Sequence, residues 1–166
     1  STQTEGWWRM ALDKLGVKYD YISTQTVARE KNLRGKYDAI LFGPIGERVG
    51  TQAIVDGMPM YGNPLPWEKT AKTPNLGRID STPDIRPGLG QEGLANLKRF
   101  VADGGMLITS EDTAKFAIDT GLAPGVSVTP HGNVRVVGSV LRAELVAKDN
   151  PIARGYDATF AMYSEI

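Results

Sequence analysis

Apolar residues in the first part of the chain follow two patterns, helical spacing and short continuous runs. Thr2 and Glu5 have the spacing of a capping box, and apolar residues at helical spacing follow as far as Gly16, so a helix is predicted there. Residues 17–22 are β-branched and aromatic and predict a short strand. The nearly continuous apolar run over 37–43 predicts a strand buried on both faces, as in a parallel sheet.

The same rhythm returns after residue 90. Leu94, Leu97 and Phe100 mark one face of a helix that ends at Gly104, and residues 106–109 form a short apolar run. A turn and a further helix over 115–118 follow. This alternation predicts an α/β fold, a three-layer sandwich with a largely parallel sheet and helices on both faces. The remaining segments are predicted as strands, over 126–129, 134–137, 140–146 and 158–163.

Residues 57–90 interrupt this pattern, since six of the ten prolines lie there. A loop of this length is uncommon in a compact domain and is usually functional or disordered. Two interpretations stay open. The loop is an insertion wrapped over the surface, or it is a binding loop with Met60, Tyr61 and Trp67 as apolar anchors.

Length and charge limit the function further. The chain has 166 residues, which suits one domain over 1–166, and its nineteen basic residues balance nineteen acidic ones. A neutral chain has no bulk attraction for nucleic acid or an anionic membrane, and no apolar run has the length of a membrane span. We therefore expect neither nucleic acid nor a membrane as a partner.

Cysteine is absent and His131 is the single histidine. The absence of cysteine excludes disulfides, thiolate zinc sites and cysteine nucleophiles. A zinc site would have to combine one imidazole with carboxylates, against the usual ligand preference. We expect no metal or other cofactor in this chain. His131 lies in a predicted turn between strands, where a solvated loop histidine is favoured over a ligand-binding one.

The sharp strand–turn–helix around residues 106–118 is the most chemistry-like segment. In nucleophile elbows such a turn carries a serine or cysteine beside backbone amides that stabilise an oxyanion. Here the turn reads Ser110-Glu111-Asp112, without the usual glycines. Ser110 would be a nucleophile only with His131 in reach, so we favour Ser110 or Asp112 as a helix cap.

The ordered series of motifs resembles the class I glutamine amidotransferase-like fold, a flavodoxin-like sandwich that includes ThuA-like proteins. More specifically, it is similar to the amidotransferase-like domain found C-terminal to the catalytic domain in bacterial M14 zinc carboxypeptidases. The residues that carry the resemblance span nearly the whole chain: Glu5-Gly6-Trp7 with Arg9, Leu15-Gly16-Val17, Asn32-Leu33, Tyr37-Asp38, Gly88-Leu89-Gly90, Glu92-Gly93, Leu97, Phe100-Val101, Gly104-Gly105, Asn150-Pro151-Ile152-Ala153 and Gly155-Tyr156.

The resemblance implies an accessory role rather than catalysis. In that family a first strand precedes the Glu-Gly-Trp helix, so the chain is expected to lack that strand and to be a piece of a larger polypeptide. Peptidase activity belongs to the upstream domain, whose zinc is held by a His-x-x-Glu pair and a distant histidine. Glutaminase activity needs an elbow cysteine. No catalytic residue therefore carries over.

The resulting hypothesis is a non-catalytic accessory or binding domain of a secreted or periplasmic zinc carboxypeptidase. Its partner is the upstream peptidase domain of the same polypeptide. The residues expected to contact a ligand or partner are Pro44, Trp67, Ser110, Glu111 and His131. The turns around Pro44 and Ser110 are included because open α/β sheets bind ligands at the carboxyl ends of their strands. Two alternatives stay open: a ThuA-like module that binds a small molecule or sugar, and a cysteine-less hydrolase that uses Ser110.

Overall fold

The structure is a computed structural model that describes residues 3–46, 49–129, 132–133 and 138–164. The chain divides into two compact units, residues 1–127 and residues 128–166, which are described separately. The domain predicted over 1–166 stays a prediction.

The first unit contains five helices and two strands within its described residues. They are α1 (Gln3–Lys14), α2 (Thr24–Arg29), β1 (Ala39–Phe42), α3 (Thr51–Asp56), α4 (Gly90–Ala102), β2 (Met106–Thr109) and α5 (Asp112–Asp119). β1 and β2 pair in parallel, with Ala39 opposite Met106 and Phe42 opposite Thr109. The mixed α/β class with a parallel sheet is therefore confirmed at this coarse level.

The sheet is covered on one face. Ile40, Phe42 and Leu107 pack against the buried core, whereas Met106 and Ile108 are exposed. The prediction that the 37–43 strand is buried on both faces was wrong, because inward and outward side chains alternate along β1 and β2.

The core lies between this sheet and the helices. Phe100 of α4 and Phe116 of α5 are fully buried, and the Phe116 ring meets Phe42 edge-on at a centroid distance of 5.7 Å. Asn96 of α4 is also buried, and its amide donates to the carbonyl oxygens of Val27 and Ala28 at 2.9 and 3.0 Å. These bonds satisfy carbonyls near the end of α2 and fix α2 against α4.

Residues 17–22 do not form the predicted strand. The segment has no strand assignment and follows α1 after Gly16, whose φ of 68° ends the helix as predicted. Its aromatic side chains contact α1, since the Tyr19 hydroxyl donates to the Asp13 carboxylate and the Tyr21 ring lies under Arg9. Strand propensity alone does not supply a neighbouring strand with which to pair.

The second unit contains an antiparallel pair, β3 (Ser139–Glu144) and β4 (Thr159–Ser164), joined through a 3₁₀ turn at Pro151–Ala153. These elements match the last two predicted strands in position. Residues 126–129 form no strand, contrary to prediction, and the predicted strand over 134–137 lies outside the described residues.

Candidate functional site

The carboxyl ends of β1 and β2 lie side by side and form one edge. Phe42 and Thr109 are the last paired residues, and the chain continues into Pro44 on one side and Ser110 on the other. The edge therefore unites three of the predicted contact residues, Pro44, Ser110 and Glu111, of which Pro44 is fully buried, Ser110 is half-buried and Glu111 is exposed. Open α/β sheets bind ligands at such an edge.

Glu111 adopts an unusual backbone conformation at this edge. Its φ is 54° and its ψ is −123°, and it alone among the described non-glycine residues has a positive φ. Such conformations cost of order 1–3 kcal/mol and concentrate at functional sites. The Glu111 side chain is exposed, so the strained turn presents a carboxylate to solvent.

The predicted caps of α5 were wrong. Glu111 is the residue before the helix and makes no side-chain capping bond. Asp112 is the first helical residue, and its carboxylate turns to the loop after β1 instead. There it accepts hydrogen bonds from the backbone N–H of Ile45 at 3.1 Å and of Gly46 at 3.0 Å. The sequence predicted the polar turn, but it did not predict the hydrogen bonds between Asp112 and the distant loop after β1.

Ser110 also differs from its predicted capping role. Its hydroxyl oxygen is buried and has no hydrogen-bond partner among the described residues, while its backbone N–H donates to the Thr113 hydroxyl at 3.1 Å. A serine nucleophile needs a base within hydrogen-bond reach. His131, the base considered for that role, lies outside the described residues. Within the residues that the structure describes, no base forms a hydrogen bond with the Ser110 hydroxyl.

Helix α1 supplies two further polar residues close to this edge. A β-carbon placed on Gly43 would lie 3.9 Å from both Cα and Cγ of Glu5, so α1 passes beside the end of β1. Arg9 lies 3.8 Å from the Glu5 carboxylate and 4.6 Å above the centre of the Tyr21 ring. A hydrogen bond with the Tyr19 side chain raises the pKa of Arg9, and the nearby Glu5 charge adds to this.

The 57–90 segment is folded on itself by backbone and polar contacts. Gly57 and Pro87 form an isolated antiparallel β-bridge. Trp67 and Thr82 form a second one, in which the Trp67 N–H donates to the Thr82 carbonyl oxygen at 2.8 Å and the Thr82 N–H donates back at 3.2 Å. The Trp67 side chain is 46% exposed. Among the described residues, no backbone hydrogen bond or ring contact joins Trp67 to the ends of β1 and β2.

An ion pair between the buried Arg86 and the half-buried Asp84 anchors this loop. Arg86 is 5% exposed and donates from Nε to Asp84 at 2.8 Å and from Nη2 at 2.6 Å. Its Nη1 also donates to the carbonyl oxygen of Tyr61 at 2.9 Å. The Arg86 guanidinium holds the pKa of Asp84 well below its usual range. On the other side, Gln25 of α2 donates to the Asp84 carbonyl oxygen at 2.7 Å.

Neither a metal cluster nor a membrane span is found in the part of the chain that the structure describes. No group of three or more histidine, cysteine, aspartate or glutamate side chains there is placed to hold a metal ion. Within the same residues, no helix combines the length and apolarity needed to cross a membrane.

Comparison of the chain with protein-family models, with curated proteins and with solved structures finds no match. The relation to amidotransferase-like domains therefore depends on the residues quoted above and stays a prediction.

Proposed function

We propose that this chain is a non-catalytic accessory or binding domain of a bacterial M14-like zinc carboxypeptidase, with a flavodoxin-like, amidotransferase-like fold. Its partner is the upstream peptidase domain of the same polypeptide, where zinc supplies the peptidase chemistry. The observation that carries the non-catalytic part is Glu111, which occupies the strained position at the centre of the elbow.

The elbow chemistry supports binding rather than hydrolysis. The strained residue of a nucleophile elbow presents its side chain at the end of a sheet. Here that side chain is a glutamate, and the neighbouring Ser110 hydroxyl is buried with no hydrogen-bond partner in the described part of the chain. An exposed carboxylate on a rigid turn suits recognition of a ligand or partner group that donates hydrogen bonds.

The 57–90 loop supports a docking role through its exposed apolar side chains. Large apolar residues that stay exposed in this loop are Met58, Met60, Tyr61, Leu65, Trp67, Ile79 and Ile85. Exposed apolar patches on folded proteins mark interaction sites, and tryptophan and tyrosine are enriched among the residues that dominate binding energy. The Asp84–Arg86 pair keeps this surface ordered, which lowers the entropy cost of binding.

The parent protein is tested by sequencing the coding DNA that flanks this segment. We expect an upstream domain with a His-x-x-Glu pair, a later histidine and an export signal. A reading frame that starts shortly upstream and encodes no peptidase domain would contradict the carboxypeptidase link.

The docking role is tested by calorimetric titration of the full chain with the separately produced peptidase domain. We expect Trp67→Ala to weaken binding about tenfold or more, as truncated interface aromatics do. Val146→Ala, at an exposed apolar residue of the second unit, serves as the control. Equal affinity of wild type and Trp67→Ala would remove the loop from the interface.

The two alternatives give different results on the same protein. A ThuA-like ligand-binding module would show a ligand-induced rise in melting temperature without the peptidase domain. A Ser110 hydrolase would show a hydrolytic activity that Ser110→Ala abolishes while the melting temperature is kept.

A further inference from the structure

All five methionines of the chain are exposed, and two of them lie in the 57–90 loop. Their exposed fractions run from 44% to 61%, at the positions Met10, Met58, Met60, Met106 and Met162. Methionine is in general among the residue types that are most often buried. The buried core of the described residues contains none. These side chains therefore contribute little to the packing of the core and are open to reagents in solution.

Methionine supplies the only sulfur atoms of this chain, because cysteine is absent. A thioether is oxidised to a sulfoxide, and methionine sulfoxide reductases reverse the reaction. With hydrogen peroxide as the oxidant, a bond forms between the sulfur and one peroxide oxygen while the O–O bond breaks. The sulfur loses two electrons, and the second oxygen is reduced to water, for which it takes both peroxide protons. An apolar side chain thereby becomes a polar one.

Met58 and Met60 lie on a stretch of backbone that contacts with Arg86 hold in place. The Met58 N–H donates to the Arg86 carbonyl oxygen at 2.8 Å. The carbonyl oxygen of Tyr61, the residue after Met60, accepts from Arg86 Nη1 at 2.9 Å. On the side of the stretch, both bonds use backbone atoms and not the thioethers. Oxidation of the two sulfurs therefore changes the exposed surface of the loop and leaves these bonds intact.

We propose that Met58 and Met60 form a reversible oxidation site, and that their sulfoxides release the 57–90 loop from the peptidase domain. This inference rests on the proposed docking function and adds its regulation. A sulfoxide oxygen is a hydrogen-bond acceptor, and its burial without a donor costs free energy. Docking removes water from the exposed apolar side chains of the loop, so the oxidised loop binds the same surface less tightly. Reduction of the sulfoxides restores the binding.

The test compares the full chain before and after treatment with hydrogen peroxide. The chain is oxidised, freed of peroxide and titrated by calorimetry with a peptidase domain that has not been exposed to the oxidant. We expect sulfoxides at Met58 and Met60 in peptide mass spectrometry, and an affinity about tenfold or more below that of the untreated chain. Methionine sulfoxide reductases A and B should restore the affinity. The melting temperature should change little, because the core of the described residues holds no methionine.

The double variant Met58→Leu/Met60→Leu assigns the effect to these two residues. Leucine is close to methionine in size and apolarity but is not oxidised, so this variant should bind like wild type and keep its affinity after peroxide. Met10→Leu/Met162→Leu is the matched control, because it also removes two exposed methionines but leaves the loop unchanged. After peroxide it should lose affinity as wild type does.

Unchanged affinity of the oxidised wild type would overturn the inference. An equal loss of affinity in Met58→Leu/Met60→Leu would do the same, and so would unfolding of the oxidised chain, since the loss would then not come from these two side chains. Absence of binding before the peroxide treatment would overturn the proposed docking function, and with it the release that depends on that function. The titration of the untreated chain therefore distinguishes the two failures.

Discussion

The side-chain hydroxyl of Thr113 lies 2.7 Å from the carbonyl oxygen of Phe42, 71 residues away in the chain. The same hydroxyl lies 2.8 Å from the Ser110 carbonyl oxygen and accepts from the Ser110 N–H at 3.1 Å. Thr113 is fully buried. One hydroxyl therefore joins the end of β1 to the turn after β2 and fixes the edge at which Glu111 is presented.

Replacement of Thr113 by valine tests this link. The side chain keeps its shape, but the Ser110 N–H and the Phe42 carbonyl lose a partner in a buried place. We expect the free energy of unfolding to fall by about 2 kcal/mol, the usual cost of stranding buried polar groups. Urea unfolding measures it. Thr113→Ser, which keeps the hydroxyl, should lose less, and a larger loss in serine than in valine would contradict the assignment.

Glu111→Gly tests the backbone strain at the elbow. Glycine adopts a positive φ without a Cβ clash, so we expect this variant to be more stable than wild type by about 1 kcal/mol. Lys98→Gly, at an exposed position inside α4, provides the comparison and should lose about 1 kcal/mol. If Glu111→Gly is destabilised as much as Lys98→Gly, the turn stores no strain. A stabilised variant would mean that glutamate is kept there at the expense of stability, as functional residues often are.

The sequence predicted local elements well where a single helix or turn was involved. Gly16 and Gly104 end their helices as expected, both with positive φ, because a C-terminal glycine is a local signal. The polar turn at Ser110 was likewise visible in the sequence. Its details were not, because the partners of Asp112 and Thr113 lie in the loop after β1, and no local pattern encodes a contact between distant segments.

The same distinction explains the errors in the sheet. Residues 17–22 have strand-forming composition, but a strand also needs a paired neighbour. The apolar run over 37–43 suggested two buried faces, yet whether Leu41 meets a helix depends on packing that composition does not fix. The 57–90 loop was expected to be irregular, and its Asp84–Arg86 anchor was missed because residues two positions apart give no periodic signal.

The Asp84–Arg86 pair makes stability depend on pH. Hydrogen bonds from the Arg86 side chain lower the pKa of Asp84 in the folded chain, so the pair stabilises the fold at pH values above the unfolded pKa of about 4. That contribution decreases as the pH falls below about 4, where the unfolded chain takes up the proton, and it is lost once the pH reaches the lower pKa of folded Asp84.

Urea unfolding at several pH values between 7 and about 2 measures this dependence. Asp84→Asn should be less stable than wild type at neutral pH and should approach it in acid. Asp149→Asn, at an exposed aspartate of the second unit, should follow the wild-type curve. A constant difference between wild type and Asp84→Asn across the range would show that the charge of Asp84 contributes nothing.

Gly88 and Gly90 belong to a glycine-rich segment, and their environments predict different roles. A β-carbon on Gly88 would lie 2.5 Å from the Gly57 nitrogen and 2.6 Å from the Val55 carbonyl oxygen, distances that require the backbone to move. A β-carbon on Gly90 would meet no atom within 4 Å, although its φ is 67°. The first glycine permits close approach of two backbone segments, and the second only a left-handed conformation.

Alanine at each position separates these two roles. We expect Gly88→Ala to lower the free energy of unfolding by about 3 kcal/mol, because overpacking against backbone atoms has no side chain to yield. Gly90→Ala should cost about 1 kcal/mol, the usual penalty of a left-handed residue with a Cβ. Thermal and urea unfolding of both variants give the comparison. Equal losses would mean that the loop end moves freely away from α3, and the ordered docking surface proposed for residues 57–90 would lose its support.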